Sequence, residues 1–90
     1  MFVAHSALLT YNAALNGPAF QSSVQIDSST LIYAASLAND GSRETNVAKN
    51  NTPMCSVSQR DTNPWWAVDL GSPTTVHRVD LTNRGEVIML

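Results

Sequence analysis

The sequence predicts an all-β fold, an antiparallel β-sandwich of the jelly-roll type represented in part, with long loops and a short helical turn. Two runs, residues 65–70 and 74–82, alternate between apolar and polar side chains and are bounded by proline and glycine, which is typical of strands. The composition agrees, because only 13% of the residues are charged and serine, threonine and asparagine supply much of the polarity. At 90 residues the chain is one domain at most.

The elements before the first of these runs are shorter. Asn16 and Gly17, followed by a proline, predict a turn between two extended pieces. Residues 21–26 are predicted to form a short strand. Residues 27–30 form either a loop or the N-terminal cap of a short helix over residues 31–37. The following polar stretch, residues 39–60, lacks apolar periodicity and is predicted to be a long loop, which in a small domain is usually functional or organised by a metal.

The strongest strand signal lies in residues 63–71, which hold both tryptophans of the chain. Asn63-Pro64 starts the strand with a turn and Gly71 ends it. Alternation places three apolar side chains on the inner face, where we expect core packing: Trp66, Val68 and Leu70. The opposite face carries Asp69, which we expect to bond backbone amides or an arginine, because an unpaired carboxylate is costly to bury.

The second strong strand is residues 74–82, and its alternation puts Val79 and Leu81 on one face. Arg78 and Asp80 lie on the other face. A turn at residues 83–85 follows.

Several classes of function are not supported by the composition. The net charge is −2 and the five basic residues are scattered, whereas nucleic-acid binding needs a concentrated basic patch. No apolar run reaches 18 residues, so no membrane-spanning helix is predicted, and residues 1–11 make a poor signal peptide. His5 and His77 are isolated and no catalytic motif is present, so we expect a non-enzymatic protein.

Three segments in register carry a resemblance to a known family. Residues 63–71, followed by Thr82-Asn83-Arg84-Gly85, together with residues 12–23 and 35–41, resemble the fucolectins, or F-type lectins, a branch of the discoidin-like (coagulation-factor type C) domains. The resemblance implies a partial discoidin-like domain over residues 12–90, with residues 1–11 outside the family, and it favours the helix over the loop. It also implies extracellular, non-enzymatic recognition of fucosylated glycans, with a homo-oligomer possible.

Cys55 is the only cysteine in the sequence. An odd cysteine in a secreted-type domain indicates a missing partner, and a buried thiol is the alternative. In fucolectins the cysteine at this place pairs with one near the C-terminus of the domain. The resemblance therefore implies a disulfide whose partner lies beyond Leu90, and we expect the sequence to be the N-terminal portion of a longer domain.

The resemblance also implies a calcium site in the polar loop. Matched position by position, the ligands are the Asp40 side chain and the carbonyls of Leu37 and Ser42, since Ca²⁺ takes oxygens from a curled loop. Met54 stands where the family has a serine, so it keeps a carbonyl ligand and loses a hydroxyl. The alternative is that Asp40 only caps a turn.

The sugar site of the family uses one histidine and two arginines as hydrogen-bond donors. Arg84 keeps the first arginine, Val57 stands at the histidine position, and the second arginine position lies beyond Leu90. We therefore expect no measurable binding of free fucose. Two alternatives remain open: Arg84 is a turn residue paired with a nearby carboxylate, and the domain is a degenerate adhesion or structural module that has lost the sugar site.

Overall fold

A computed structural model describes residues 1–6 and 11–85, and within that part it contains six short strands and one turn of 3₁₀ helix. The strands are β1 (Phe2–Ser6), β2 (Ala19–Gln21), β3 (Ala48–Lys49), β4 (Thr52–Pro53), β5 (Trp66–Val68) and β6 (Val76–Leu81), and the 3₁₀ helix is Ala35–Ala38. They form three antiparallel pairs, β1 with β6, β2 with β5 and β3 with β4. The prediction of a partial all-β, antiparallel fold is confirmed.

Strand β5 shows the alternation that its sequence predicts. Trp66, Val68 and Leu70 are half-buried, whereas the three residues between and before them are exposed. The regular strand is shorter than predicted because β2 offers only three partners, from Ala19 opposite Val68 to Gln21 opposite Trp66. Asp69 is exposed, and its Oδ1 accepts a hydrogen bond of 2.8 Å from the N–H of Gly71, the backbone partner that we expected.

The amino-terminal strand β1 lies along β6, with Phe2 opposite Leu81 and Ala4 opposite Val79. Ala4 is buried, while all six residues of β6 are exposed. The predicted strand over residues 74–82 is thus present, shortened at both ends. The assignment of residues 1–11 as lying outside the family stays a prediction, although part of that segment supplies a strand of the fold.

The strand predicted over residues 21–26 is wrong, because the regular strand ends at Gln21 and the chain then turns away from β5. The hydroxyl groups of two serines stabilise the chain where it leaves β5. Ser22 and Ser23 each donate a hydrogen bond of 2.6 Å to Oδ2 of Asp61, and Ser22 also accepts one of 3.2 Å from the N–H of Trp65. A side chain that competes for backbone partners ends the ladder at this point.

The helix predicted over residues 31–37 is also wrong in its bounds. The Asp27 carboxylate caps a tight loop instead: its Oδ1 accepts from the N–H groups of Ser29 (2.9 Å) and Leu31 (3.0 Å), and its Oδ2 accepts from the Tyr33 hydroxyl (2.7 Å). The chain leaves this loop extended, and only the short 3₁₀ turn that begins at Ala35 is helical. Of the two alternatives left open for residues 27–30, the loop is the one that forms.

The long loop predicted over residues 39–60 contains a small hairpin, β3–β4. Asn50 and Asn51 join its strands with φ values of 51° and 59°. Two consecutive residues with positive φ define a type I′ turn, for which asparagine is well suited. The prediction of a continuous long loop is therefore wrong between residues 48 and 53.

The buried centre is small and includes one polar side chain. The buried apolar residues of the described part are Val3, Ala4, Ala14, Tyr33 and Ala35. Asn39 is fully buried beside them, and its Nδ2 donates to the carbonyls of Ala14 (2.7 Å) and Gly17 (2.9 Å). The backbone carbonyl of Asn39 accepts a hydrogen bond from the N–H of Asn16 at 2.8 Å. Asn39 therefore ties the turn before β2 to the end of the 3₁₀ helix.

The Asp61 carboxylate makes the fold sensitive to acid. Hydrogen bonds from Ser22 and Ser23 hold the pKa of Asp61 below its ordinary value of 3.8. Because the folded-state pKa is the lower one, the ionised group stabilises the fold above pH 3.8, and this contribution is lost as the pH falls through the folded-state pKa. The pKa of Asp27 is lowered in the same sense, first by the Tyr33 hydroxyl.

We expect Asp61→Asn to lower the melting temperature at pH 7 and to flatten its dependence on pH below 4, because the neutral amide neither accepts as strongly nor titrates. Asp69→Asn is the matched control, since that carboxylate accepts only a local bond from Gly71 among the contacts described. Thermal unfolding monitored by circular dichroism from pH 2 to 7 measures both effects. Equal acid dependence in wild type and Asp61→Asn would contradict the assignment.

Candidate functional site

A cleft of about 630 Å³ lies where the end of β6, the start of β1 and the 3₁₀ helix meet residues 55–57. Its lining combines an apolar group with a polar one. The apolar residues include Phe2, Leu37, Val57, Trp66 and Leu81, and the polar ones are Ser56, Thr82, Asn83 and Arg84. A largely apolar cavity with a few convergent polar groups is the usual form of a small-molecule site.

The segment that carries Arg84, residues 82–85, is held on both sides. Before it, the Thr82 N–H donates to the Met1 carbonyl at 2.9 Å, and the amino terminus donates back to the Thr82 carbonyl at 3.1 Å. After it, the Gly85 N–H donates to the Thr45 carbonyl at 2.8 Å. The Arg84 N–H itself donates to Oδ1 of Asn83 at 3.0 Å, and Arg84 is half-buried. The fold therefore presents the guanidinium from a fixed backbone, although the structure assigns no turn to residues 82–85, where the sequence predicts one.

Val57, which is distant from Arg84 in the sequence, lines the same cleft. Its N–H donates to the Tyr33 carbonyl at 3.2 Å, and its carbonyl accepts from the Gln25 N–H at 2.9 Å and from Nε2 of Gln21 at 3.1 Å. These bonds fix the backbone at Val57, where the resemblance implies a histidine, while the valine side chain offers no hydrogen-bond donor. The structure thus places Val57 and Arg84 on the same cleft.

Trp66 forms part of the apolar lining and is tightly held. Its indole Nε1 donates to the Ala35 carbonyl at 2.9 Å, and its ring lies 4.6 Å from the ring of Phe2, tilted by 41°. The sequence placed Trp66 in the core, and its role in the cleft was missed because β1 was not predicted. Ser56, Thr82 and Asn83 also line the cleft and were not predicted to do so, although they lie close to Val57 or Arg84 in the sequence.

The residues that the resemblance assigned to calcium lie in two places. Leu37 lies in the 3₁₀ helix, and Asp40 and Ser42 form an exposed turn just after it, in which Oδ1 of Asp40 accepts from the Ser42 N–H at 2.9 Å. Asp40 therefore does cap a turn. Met54 follows β4, and its N–H donates to the Val47 carbonyl at 2.9 Å.

The atoms that these residues offer to a cation are all oxygens, which are the ligands that Ca²⁺ prefers. Their negative charge is small, because Asp40 is the one carboxylate among them. Over residues 1–6 and 11–85, no three histidine, cysteine, aspartate or glutamate side chains cluster where they could hold a metal. The donor atoms are of the kind that Ca²⁺ takes, and they come from two separate segments of the chain.

Cys55 is half-buried and lines the cleft. Its Sγ lies 3.8 Å from the Glu44 carbonyl oxygen and 3.6 Å from that of Asn46. Glu44 is in turn paired with Lys49 at 3.2 Å, and the Asn46 N–H together with this partner lowers the pKa of Glu44. These contacts anchor the segment before Val57. The disulfide that the resemblance implies stays a prediction.

The fold and the cleft define the class of protein: an all-β binding domain with a mixed apolar and polar site. The family model described as the NedA-like, galactose-binding domain matches residues 37–88, more than half of the chain. The chain belongs to this family, the F5/F8 type C, or discoidin-like, domains.

The curated relatives include several fucolectins. Fucolectin of Anguilla anguilla is 37% identical over 75 residues, which are 83% of this chain and 46% of that protein. Fucolectin-1 of Anguilla japonica is 33% identical over 75 residues, 83% of this chain and 40% of that protein. The chain thus spans less than half the length of these relatives. Each is named as a lectin and neither as an enzyme, which favours a binding domain.

No solved structure matches the chain significantly. Within the part of the chain that the structure describes, no helix is long and apolar enough to cross a membrane.

Proposed function

We propose that this domain recognises carbohydrate outside the cell without catalysing a reaction, and that fucosylated glycans bind in the cleft beside Arg84. The observation that carries the proposal is the convergence of Arg84 and Thr82 with Trp66 on one cleft. A sugar presents hydroxyls that need hydrogen-bond partners and C–H faces that need apolar contact. Arg84 offers the strongest donors, because its guanidinium is charged and presents several N–H groups in a planar fork.

A second function is favoured by one specific observation. Val57 lies in the cleft at the histidine position of the family and donates no hydrogen bond from its side chain. Each sugar hydroxyl that leaves water without a new partner costs about 1–3 kcal/mol. If that loss outweighs the remaining contacts, the domain is an adhesion or structural module on a lectin scaffold. Homo-oligomers are compatible with either function.

The first test is a glycan array followed by titration with free L-fucose. We expect fucosylated oligosaccharides to bind and free fucose to show no measurable binding, because a monosaccharide cannot recover enough contacts from one charged donor. Arg84→Ala is expected to abolish glycan binding, and Arg84→Lys to restore it only in part, since lysine keeps the charge and loses the fork.

Arg60→Ala is the matched control, because Arg60 is exposed and does not line the cleft. An array without any fucoside signal, or a signal that survives Arg84→Ala, would overturn the lectin proposal and leave the adhesion module. A gain-of-function variant separates these outcomes further: Val57→His is expected to tighten fucoside binding by about tenfold or more, from one new charge-assisted bond. Val57→Leu, which keeps an apolar side chain, is expected to leave the affinity unchanged.

We also propose that the turn at residues 37–42 supports the site by holding Ca²⁺ through the Asp40 carboxylate and the Leu37 and Ser42 carbonyls, with the Met54 carbonyl as a further ligand. Affinity rises with the number of charged ligands and with rigidity, so we expect a dissociation constant on the order of 10⁻³ M. Titration calorimetry measures it, and Asp40→Ala is expected to remove the signal while Asp69→Ala keeps it. Tight, stoichiometric binding that survives Asp40→Ala would contradict this assignment.

A further inference from the structure

The side of the cleft that Val57 forms is held by the side chain of Gln21, the last residue of β2. Its Nε2 donates to the Tyr33 carbonyl at 3.2 Å and to the Val57 carbonyl at 3.1 Å. A carboxamide nitrogen carries two N–H groups, so each carbonyl receives one of them. Gln21 therefore joins two segments that lie 12 and 36 residues away from it in the sequence.

The two partners fix the orientation of the Gln21 amide. Both are backbone carbonyls, which only accept hydrogen bonds, so the amide nitrogen and not the amide oxygen faces them. A glutamate has nearly the same shape, but its ionised side chain donates nothing and would turn oxygen towards oxygen. The half-buried position thus calls for a side chain that carries two donors on one atom.

Both carbonyls also have a backbone partner. The Tyr33 carbonyl accepts from the N–H of Val57 at 3.2 Å, and the Val57 carbonyl accepts from the N–H of Gln25 at 2.9 Å. Loss of the Gln21 amide would leave neither carbonyl without a hydrogen bond, and an unsatisfied buried group is the main cost of removing one partner. The bonds from Gln21 therefore constrain the geometry of these segments beyond what satisfying the carbonyls requires.

Gln21 also lies beside a second residue of the cleft. It is directly opposite Trp66 in the β2–β5 pair, and opposite residues of an antiparallel pair project from the same face. Trp66 lines the cleft and is itself held by the bond from its Nε1 to the Ala35 carbonyl. Through Gln21, the position of Val57 is fixed relative to the strand pair that carries Trp66.

We propose that Gln21 is a positioning residue, whose amide fixes residue 57 in the cleft before any ligand binds. It acts through Val57, because Gln21 is not among the described residues that line the cleft. A site whose lining is already ordered loses less conformational freedom when a ligand binds. The effect of Gln21 on glycan affinity rests on the proposed function, whereas the positioning itself is measurable without a sugar.

The first measurement uses the wild-type chain and needs no ligand. In ¹⁵N NMR spectra, the Nε2 protons of Gln21 are expected to exchange with solvent about tenfold more slowly than those of Gln59. Gln59 is the matched comparison, because it is exposed and its Nε2 makes one bond, of 3.1 Å, to the Val24 carbonyl. Equal exchange rates would overturn the proposal, since they would show that water reaches both amides alike.

The second measurement uses Gln21→Met, which keeps a side chain of similar length and removes both donors. The backbone N–H groups of Val57 and Gln25 are expected to exchange about fivefold faster, because each segment loses one hydrogen bond of ordinary strength. The N–H of Asn16, which donates to the Asn39 carbonyl elsewhere in the fold, is expected to change by less than about twofold. Equal acceleration of all three N–H groups would show a general loss of stability and would overturn the positioning role.

The third measurement couples Gln21 to the binding site. Val57→His, expected to tighten fucoside binding by about tenfold in the wild-type background, is expected to gain about twofold or less in a Gln21→Met background, because the histidine is no longer held in place. Gln59→Met is the control and should leave the full gain. A full gain with Gln21→Met overturns the proposal. If Val57→His has no effect in either background, the carbohydrate site fails, and the exchange rates still decide the role of Gln21.

Discussion

Trp66→Ala is expected to lower the free energy of unfolding by about 2–4 kcal/mol, since a truncated aromatic side chain loses its apolar burial and leaves a cavity. Two further contacts disappear with it. The indole Nε1 no longer donates to the Ala35 carbonyl, and the Phe2 ring loses its neighbour at 4.6 Å. Because Phe2 is in β1 and Ala35 is in the 3₁₀ helix, the change loosens two elements that line the cleft.

The adjacent tryptophan is a matched control for this prediction. Trp65 has the same side chain and points to the other face of β5, where it is 54% exposed. We expect Trp65→Ala to cost less than about 1 kcal/mol, as exposed substitutions usually do. Urea unfolding followed by circular dichroism measures both values. Equal destabilisation by the two variants would contradict the inner and outer faces assigned to this strand.

Gly17→Ala is expected to destabilise the fold by about 1–3 kcal/mol, because the added methyl group has no space. It would lie 2.8 Å from the carbonyl oxygen of Asp69 and 3.3 Å from Cγ2 of Val68. The first of these atoms belongs to the backbone and cannot move aside as a flexible side chain does. The close approach is maintained by the Asp69 N–H, which donates to the Pro18 carbonyl at 2.8 Å.

Gly71→Ala separates this steric effect from the general cost of replacing a glycine. Gly71 has no atom within 4 Å of an added methyl group, but its φ is +85°. Its replacement by alanine should cost about 1 kcal/mol through backbone strain alone. The same urea experiment compares the two variants. A Gly17→Ala variant that is no less stable than Gly71→Ala would show that the turn can move away from β5.

The candidate site shows which of its residues a local sequence pattern can predict and which it cannot. The resemblance named Arg84 and Val57, and the structure places both on one cleft. It also assigned Asp40 to a metal, and Asp40 caps a turn with Ser42 in the structure. Local pattern could not identify Trp66 as part of the lining, because that role depends on Phe2, which is distant in the sequence.

The errors in the fold have the same origin. Residues 27–30 form a loop and do not cap a helix, because the Tyr33 hydroxyl joins the backbone N–H groups that donate to Asp27. The strand before it ends at Gln21 because Asp61 captures two serine hydroxyls. A competing side chain from another part of the chain overrides local propensity in such cases.

By itself, the sequence determined the features that depend on neighbouring residues: the all-β class, the two faces of β5, and the turn that closes at Gly17. These follow from alternation and from the backbone limits of proline and glycine, which act within a few residues. Only the tertiary structure decided that β1 pairs with β6 and that Met1 holds the segment before Arg84 through Thr82, 81 residues away. Contacts of that separation are set by packing of the whole chain, which no local pattern encodes.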